Sequence, residues 1–251
     1  MVDKNLAKVR ANKIRNSLGL GQRPISDIFT LLEDIGLILF KKPINNSSLS
    51  AIFMQDKKNY LVIINSNRTL GHQMFSAAHE LSHYYFDNGM LGGICSVSNS
   101  NVKNDIEELA DEFASNFLMP DEGLIALVEK RKNKDGKLDL FDLVFLQQYF
   151  RVSWIAILKK LKTLNYISSI EEYKDVGITR LTQMLGYNTE LVSKTKEYDV
   201  SKRYLESVLK CYENDEISEI RLKEYLEDVS INISDISGLD EIKCGGGDNE
   251  D

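Results

Sequence analysis

The chain has 251 residues, 43% hydrophobic and 27% charged, with a formal net charge of −7. That balance suits a folded protein of one large domain or two small ones and excludes wholesale disorder. The charge is uneven: residues 167–251 hold 20 acids and 10 bases (−10), which leaves 18 acids and 21 bases (+3) for residues 1–166, and neither part is basic enough to imply nucleic-acid binding by charge alone. No apolar run approaches the roughly 18 residues of a membrane span, and no apolar h-region follows the first basic residues, so neither a membrane nor secretion is expected. Three cysteines (Cys95, Cys211, Cys244) stand far apart without a CxxC pair. They argue against a disulfide framework or a cysteine zinc site and suit the cytoplasm.

In chain order, residues 3–18 read as an amphipathic helix with Asp3 as N-cap and Leu6, Val9, Ile14 and Leu18 as its apolar stripe. Residues 26–35 read as a second helix stopped by Gly36. Leu37 to Lys41 reads as a strand, and 50–55 with 60–65 as a hairpin. Helices follow at 70–87 and 105–119, the latter ended by Pro120. Residues 121–166 are helical in pattern with breaks at 133–136 and 151–153, and 190–212 with 216–229 read as a helical pair. The tail from Ser230 has little to bury.

All three histidines lie within twelve residues, at His72, His79 and His83. His79-Glu80-Leu81-Ser82-His83 is an HExxH motif. On a helix, positions i and i+4 share a face, so both imidazoles can reach one metal ion, while Glu80 sits about 100° around, placed to act as a base without ligating. Met74, Ala77, Ala78, Leu81, Tyr84 and Tyr85 fall on the opposite side and anchor the helix. A catalytic zinc site needs a third protein ligand. The candidates are Asp87, Asp105, Glu107, Glu108, Asp111 and Glu112. Ile106, Ala110, Phe113, Ala114, Phe117 and Leu118 define the buried side of helix 105–119. Glu107 and Asp111 lie one turn apart at the edge of that side, whereas Asp105, Glu108 and Glu112 point toward solvent. Glu107 is therefore the expected third ligand and Asp111 the carboxylate that orients a ligating histidine through its free ring N–H. His72 lies two turns from His79, about 10 Å along the axis, too far to share the ion.

The segment Phe75-Ser-Ala-Ala-His-Glu-Leu-Ser-His83, followed by Glu107-Glu-Leu-Ala-Asp-Glu-Phe-Ala-Ser-Asn-Phe-Leu-Met-Pro120, resembles the ImmA/IrrE family of metallopeptidases. Val152-Ser153-Trp154 with Leu158 and Leu161 continues the likeness, which covers roughly residues 10–166. Ser82 stands where glycine is usual in that family and Asp111 where asparagine is common, and neither change removes a ligand or base. Cys211 to Leu226 is similar to a helical hairpin at the C-terminus of some members. The resemblance implies an α+β fold, a minimal gluzincin-like domain with a small antiparallel sheet beside the HExxH helix, followed by a helical C-terminal region. It also implies one Zn2+ per chain and, as substrate, a helix-turn-helix repressor of a mobile element, prophage or stress response.

The organisation expected is a metallopeptidase domain over 1–125, a helix-turn-helix-like subdomain over 126–170 that serves packing rather than DNA, a helical region over 171–232 and a disordered acidic tail over 233–251. Trp154 is expected in the core, and Cys95 in a loop. Substrate is expected to lie extended beside the 50–65 hairpin as an edge strand. Tyr84, Tyr85 and Tyr149 are candidate donors to the transition state. Two rival readings are a binding module that sequesters a repressor without cutting it and a toxin–antitoxin component.

Overall fold

The computed structural model describes residues 3–56, 59–87, 93–96 (backbone only) and 105–232. Expectations for the 233–251 tail therefore lie outside the described residues. Helix α1 (Lys4–Ser17) is capped by Asp3, whose carboxylate accepts the N–H groups of Asn5 and Leu6. Its buried face is not the stripe expected from the larger residues: Leu6 and Val9 are 40% and 63% exposed, while Ala7, Ala11, Ile14 and Arg15 are buried. The reason is close packing on α4 (Asp105–Leu118), which alanines permit and which leaves the Arg15 guanidinium to donate to the carbonyls of Phe117, Gly21 and Arg23. Helix α2 (Ile28–Asp34), capped by Asp27, leads into the sheet.

The strands are β1 (Ile38–Lys42), β2 (Leu49–Asp56), β3 (Asn59–Asn65), β4 (Gly93–Ser96) and β5 (Asp199–Val200), in the spatial order β4-β2-β3-β1-β5. The α+β class holds, but the sheet is mixed rather than antiparallel throughout, because β1 pairs with β3 in parallel, Phe40 opposite Ile63. The 50–65 hairpin forms, yet both its strands are interior: β2 is flanked by β4 and β3 by β1. The outer strand beside the hairpin is instead β4, which contains Cys95, a strand residue rather than a loop residue. The helix expected over 190–212 begins only at Lys202. The preceding residues form a 3-10 turn and then β5 against β1, and Ser201 N–H donates to Leu39 O at 2.8 Å.

Helix α3 (Leu70–Phe86) lies against the inner face of β2 and β3 and beside α4. Helices α5 (Asp121–Arg131), α6 (Leu140–Phe150) and α7 (Trp154–Thr163) complete one apolar core reaching from Ala7 to Leu191. Helix α8 (Ile178–Met184) packs on that core. The hairpin of α9 (Lys202–Glu213) and α10 (Glu219–Glu227) has its own small cluster around Val208, Tyr212, Leu222 and Leu226. Trp154 is a core residue as expected, and its Nε1 donates to Tyr173 O at 2.9 Å. The helix-turn-helix-like segment packs inward: Ile157, Leu158 and Leu161 are buried, and Lys160, the basic residue facing in, pairs with Asp121 at 2.5 Å.

The turn between α6 and α7 holds the start of α3. A Cβ on Gly71 would stand 2.7 Å from Ser153 N and 2.8 Å from Val152 C, both backbone atoms that cannot swing aside. Gly71→Ala is therefore expected to destabilise the fold by about 1–3 kcal/mol, the usual cost of overpacking. Urea denaturation followed by circular dichroism measures it, and an unchanged midpoint would show that α3 does not rest on this turn.

Candidate metal centre

The α3 and α4 helices build the site. His79 and His83 are one turn apart on α3 and buried, because the helix is covered by the sheet on one side and α4 on the other. Glu107 stands in the first turn of α4, and Phe113 anchors that helix by stacking on Phe117 and meeting the edge of Phe86. The result brings His79 Nε2 within 3.1 Å of His83 Nε2. The Glu107 carboxylate places Oε2 at 3.3 Å from His79 Nε2 and Oε1 at 3.6 Å from His83 Nε2. Asp105, by contrast, is exposed. Glu112, expected at the solvent, instead meets Lys4 of α1 at 2.5 Å.

The far nitrogens of the two rings decide what the near ones can do. His79 Nδ1 lies 3.0 Å from Asp111 Oδ1, and His83 Nδ1 lies 2.7 Å from Asp87 Oδ2. An ionised carboxylate only accepts, so each Nδ1 is the protonated nitrogen and donates. Both Nε2 atoms are then acceptors, and they converge with a carboxylate oxygen. Three acceptors so close need a cation among them. Bonds near 2.05 Å in a tetrahedral zinc site put ligand atoms about 3.3 Å apart. The observed 3.1 Å between the two nitrogens, with 3.3 and 3.6 Å from each nitrogen to its own oxygen of the Glu107 carboxylate, bracket that value. The two-histidine, one-carboxylate donor set is also one that catalytic zinc uses.

The family model for the IrrE N-terminal-like peptidase domain matches residues 32–162, more than half of the chain. The chain belongs to this peptidase family. No curated protein matches it. The match to the IrrE N-terminal-like domain takes in the end of α2, strands β1 to β4, both helices of the histidine–carboxylate cluster and the α6–α7 turn under Gly71. The family is one of metallopeptidases, and His79, His83 and Glu107 form a group that could hold its metal. Among the described residues no helix is long and apolar enough to cross a membrane.

Asp87 has a place that the sequence reading missed. Considered from sequence it is only a candidate third ligand, yet it follows His83 by one turn and closes on that ring as Asp111 closes on His79. The i, i+4 spacing was the available signal. Glu80 is fully buried beside the ligand face. Of the tyrosine candidates, Tyr84 points its hydroxyl at Ile35 O at 3.5 Å, and Tyr149 stacks on Phe145. Tyr85 stands edge-on to Tyr84.

Metal analysis by mass spectrometry should find about one zinc per chain, lost in His79→Ala, His83→Ala and Glu107→Ala. Asp87→Ala and Asp111→Ala should each weaken affinity roughly 10–100-fold, the usual cost of freeing a ligating ring. Retention of full affinity by both aspartate variants would refute the assigned ring tautomers.

Proposed function

We propose that the chain is a cytoplasmic, zinc-dependent endopeptidase whose substrate is a separate helix-turn-helix repressor of a mobile element, prophage or stress response, acting with no direct contact to nucleic acid or membrane. The observation that carries the hydrolytic part is the convergence of the three acceptor atoms of His79, His83 and Glu107 next to buried Glu80. Zinc bound there would supply a Lewis acid for the scissile carbonyl and bring the pKa of a water toward neutrality. Asp111 and Asp87 hold the two imidazoles in the ligating tautomer. Glu80 accepts the proton of the attacking water and hands it to the leaving amine, so it is the general base and then the acid. A side chain with both roles must not ligate, and its position between the two histidines on the helix, off their shared face, meets that need.

An extended substrate has a place to lie. Phe53 of β2 sits beside the His83 ring, with centroids 6.5 Å apart, and Phe53 pairs with Gly93 of β4. The β4 edge is therefore the one next to the histidines, while β5 is the far edge of the sheet. Addition of a polypeptide strand to β4 would carry its backbone past the metal ligands. The repressor as substrate rests on the family resemblance. A chain acting inside the cell must also gain its selectivity from docking beyond the scissile bond.

The zinc-loaded protein, co-expressed in turn with the helix-turn-helix repressors of its own genome, should cut one of them in an exposed linker or a locally unfolding helix. A chelator should stop the cut, and Glu80→Gln should keep zinc while lowering the rate at least roughly 100-fold. Mass spectrometry of the fragments reads the site. An intact repressor that no longer binds DNA would replace proteolysis with sequestration, and efficient digestion of casein would remove the claim of a dedicated substrate.

A further inference from the structure

His72 stands outside the metal cluster, yet it belongs to the same line of the helix. At 3.6 residues per turn, His72 lies within about 20° of both His79 and His83 around α3. The three imidazoles thus form one row, with His72 about 10 Å before His79 along the axis. His72 is partly exposed, while Ser50, which it meets, is 7% exposed. Its Nε2 lies 2.9 Å from Ser50 Oγ on β2.

Ser50 reaches that position through an irregularity. Leu49 pairs with Ser96 of β4 and Ala51 with Cys95, so two steps on β2 match one on β4, and Ser50 is the extra residue of a bulge. Alternation along β2 otherwise puts Ala51 and Phe53 toward α3 and residue 50 on the other face. The bulge turns Ser50 back to the α3 side. The same strand therefore touches the row of histidines twice, by Ser50 at His72 and by Phe53 at His83. The wall continues from the metal ligands to the hydroxyl–imidazole pair.

We infer that His72 and Ser50 form a side-chain subsite of the substrate cleft, taking an uncharged hydrogen-bonding side chain of an extended polypeptide about three residues from the scissile bond. This rests on the peptidase reading above. The spacing follows from about 10 Å along the helix against about 3.3 Å per extended residue. The chemistry follows from the pair, which offers both a donor and an acceptor. Burial, with Arg68 nearby, holds the His72 pKa down to about 4, so at neutral pH the ring is neutral and keeps one nitrogen to donate and one to accept.

The zinc-loaded protein and its Ser50→Ala, His72→Gln and His72→Ala variants, incubated with peptides that span the cut segment of the helix-turn-helix substrate and are randomised around the scissile bond, test this by mass spectrometry of the cut sites. Peptides retained on immobilised chains also carrying Glu80→Gln are read in parallel. All variants should hold about one zinc. The wild type should prefer Ser, Thr, Asn or Gln at one position about three residues from the cut, and the variants should lose that preference roughly tenfold, the worth of one neutral hydrogen bond. The loss should appear in KM rather than kcat. An unchanged preference in both Ser50→Ala and His72→Gln, with or without a lower melting temperature, overturns the subsite and leaves the peptidase standing. A zinc-loaded chain that neither cuts nor retains any peptide overturns the peptidase reading and the subsite with it.

Discussion

Three hydrogen-bond acceptors aimed at one point form the constraint on which the rest of this molecule depends. Lone pairs on two imidazole nitrogens and a carboxylate repel one another, so an arrangement with Nε2 atoms 3.1 Å apart costs free energy unless a cation occupies the centre. Folding must therefore hold the ligands in place before the ion arrives. Much of the architecture around α3 answers that need. The sheet covers one side of the helix and α4 the other, and the α6–α7 turn presses on Gly71 at its start.

The carboxylates share the same task at the second remove. Asp111 comes from α4 and Asp87 from the end of α3 itself, and each fixes one ring by its Nδ1. Taking the two partners from different helices links the spacing of α3 and α4 to the ring orientations. A shift of α4 would move Glu107 and Asp111 together, so ligand and ring support cannot come apart independently. Polar contacts of α4 with α1, and of α7 with α4 and α5, reinforce that spacing: Arg15 of α1 donates to Phe117 O, and Lys160 of α7 bridges Asn116 and Asp121. Ionic groups that would be costly alone are buried here with their partners already in place.

The sheet contributes an edge and a wall. Its mixed order puts the hairpin in the middle and leaves β4 on the outside next to the histidines, while β5 and the α9–α10 hairpin occupy the opposite side. The chain after α8 also returns to the start of α3, where Gln73 Nε2 donates to Arg68 O at 2.8 Å and to Thr195 Oγ1 at 3.1 Å. The C-terminal third is thereby tied to the helix that carries the ligands, although it contributes none of them.

What the sequence by itself determined is whatever local periodicity controls. The HExxH helix, the place of Glu107 and Asp111 one turn apart on one helix edge and the cap at Asp3 all follow from 3.6 residues per turn and from the donors a helix end leaves open. The class of fold followed too, since alternating and helical stretches are told apart by period. What only the tertiary structure decided depends on partners distant in the chain. Strand pairing is one case: nothing in Leu37 to Lys41 says that it runs parallel to β3, or that residues 199–200 will cover its other side, because backbone hydrogen bonds carry no side-chain label. The face of α1 is another, where close approach to α4 favoured the small Ala7 and Ala11 over the more hydrophobic Leu6 and Val9. Ser50 and His72 are a third. They are separated by 22 positions and joined only because a bulge turns one strand residue toward a helix, and a bulge is set by the pairing of β2 with β4, which neither residue encodes alone.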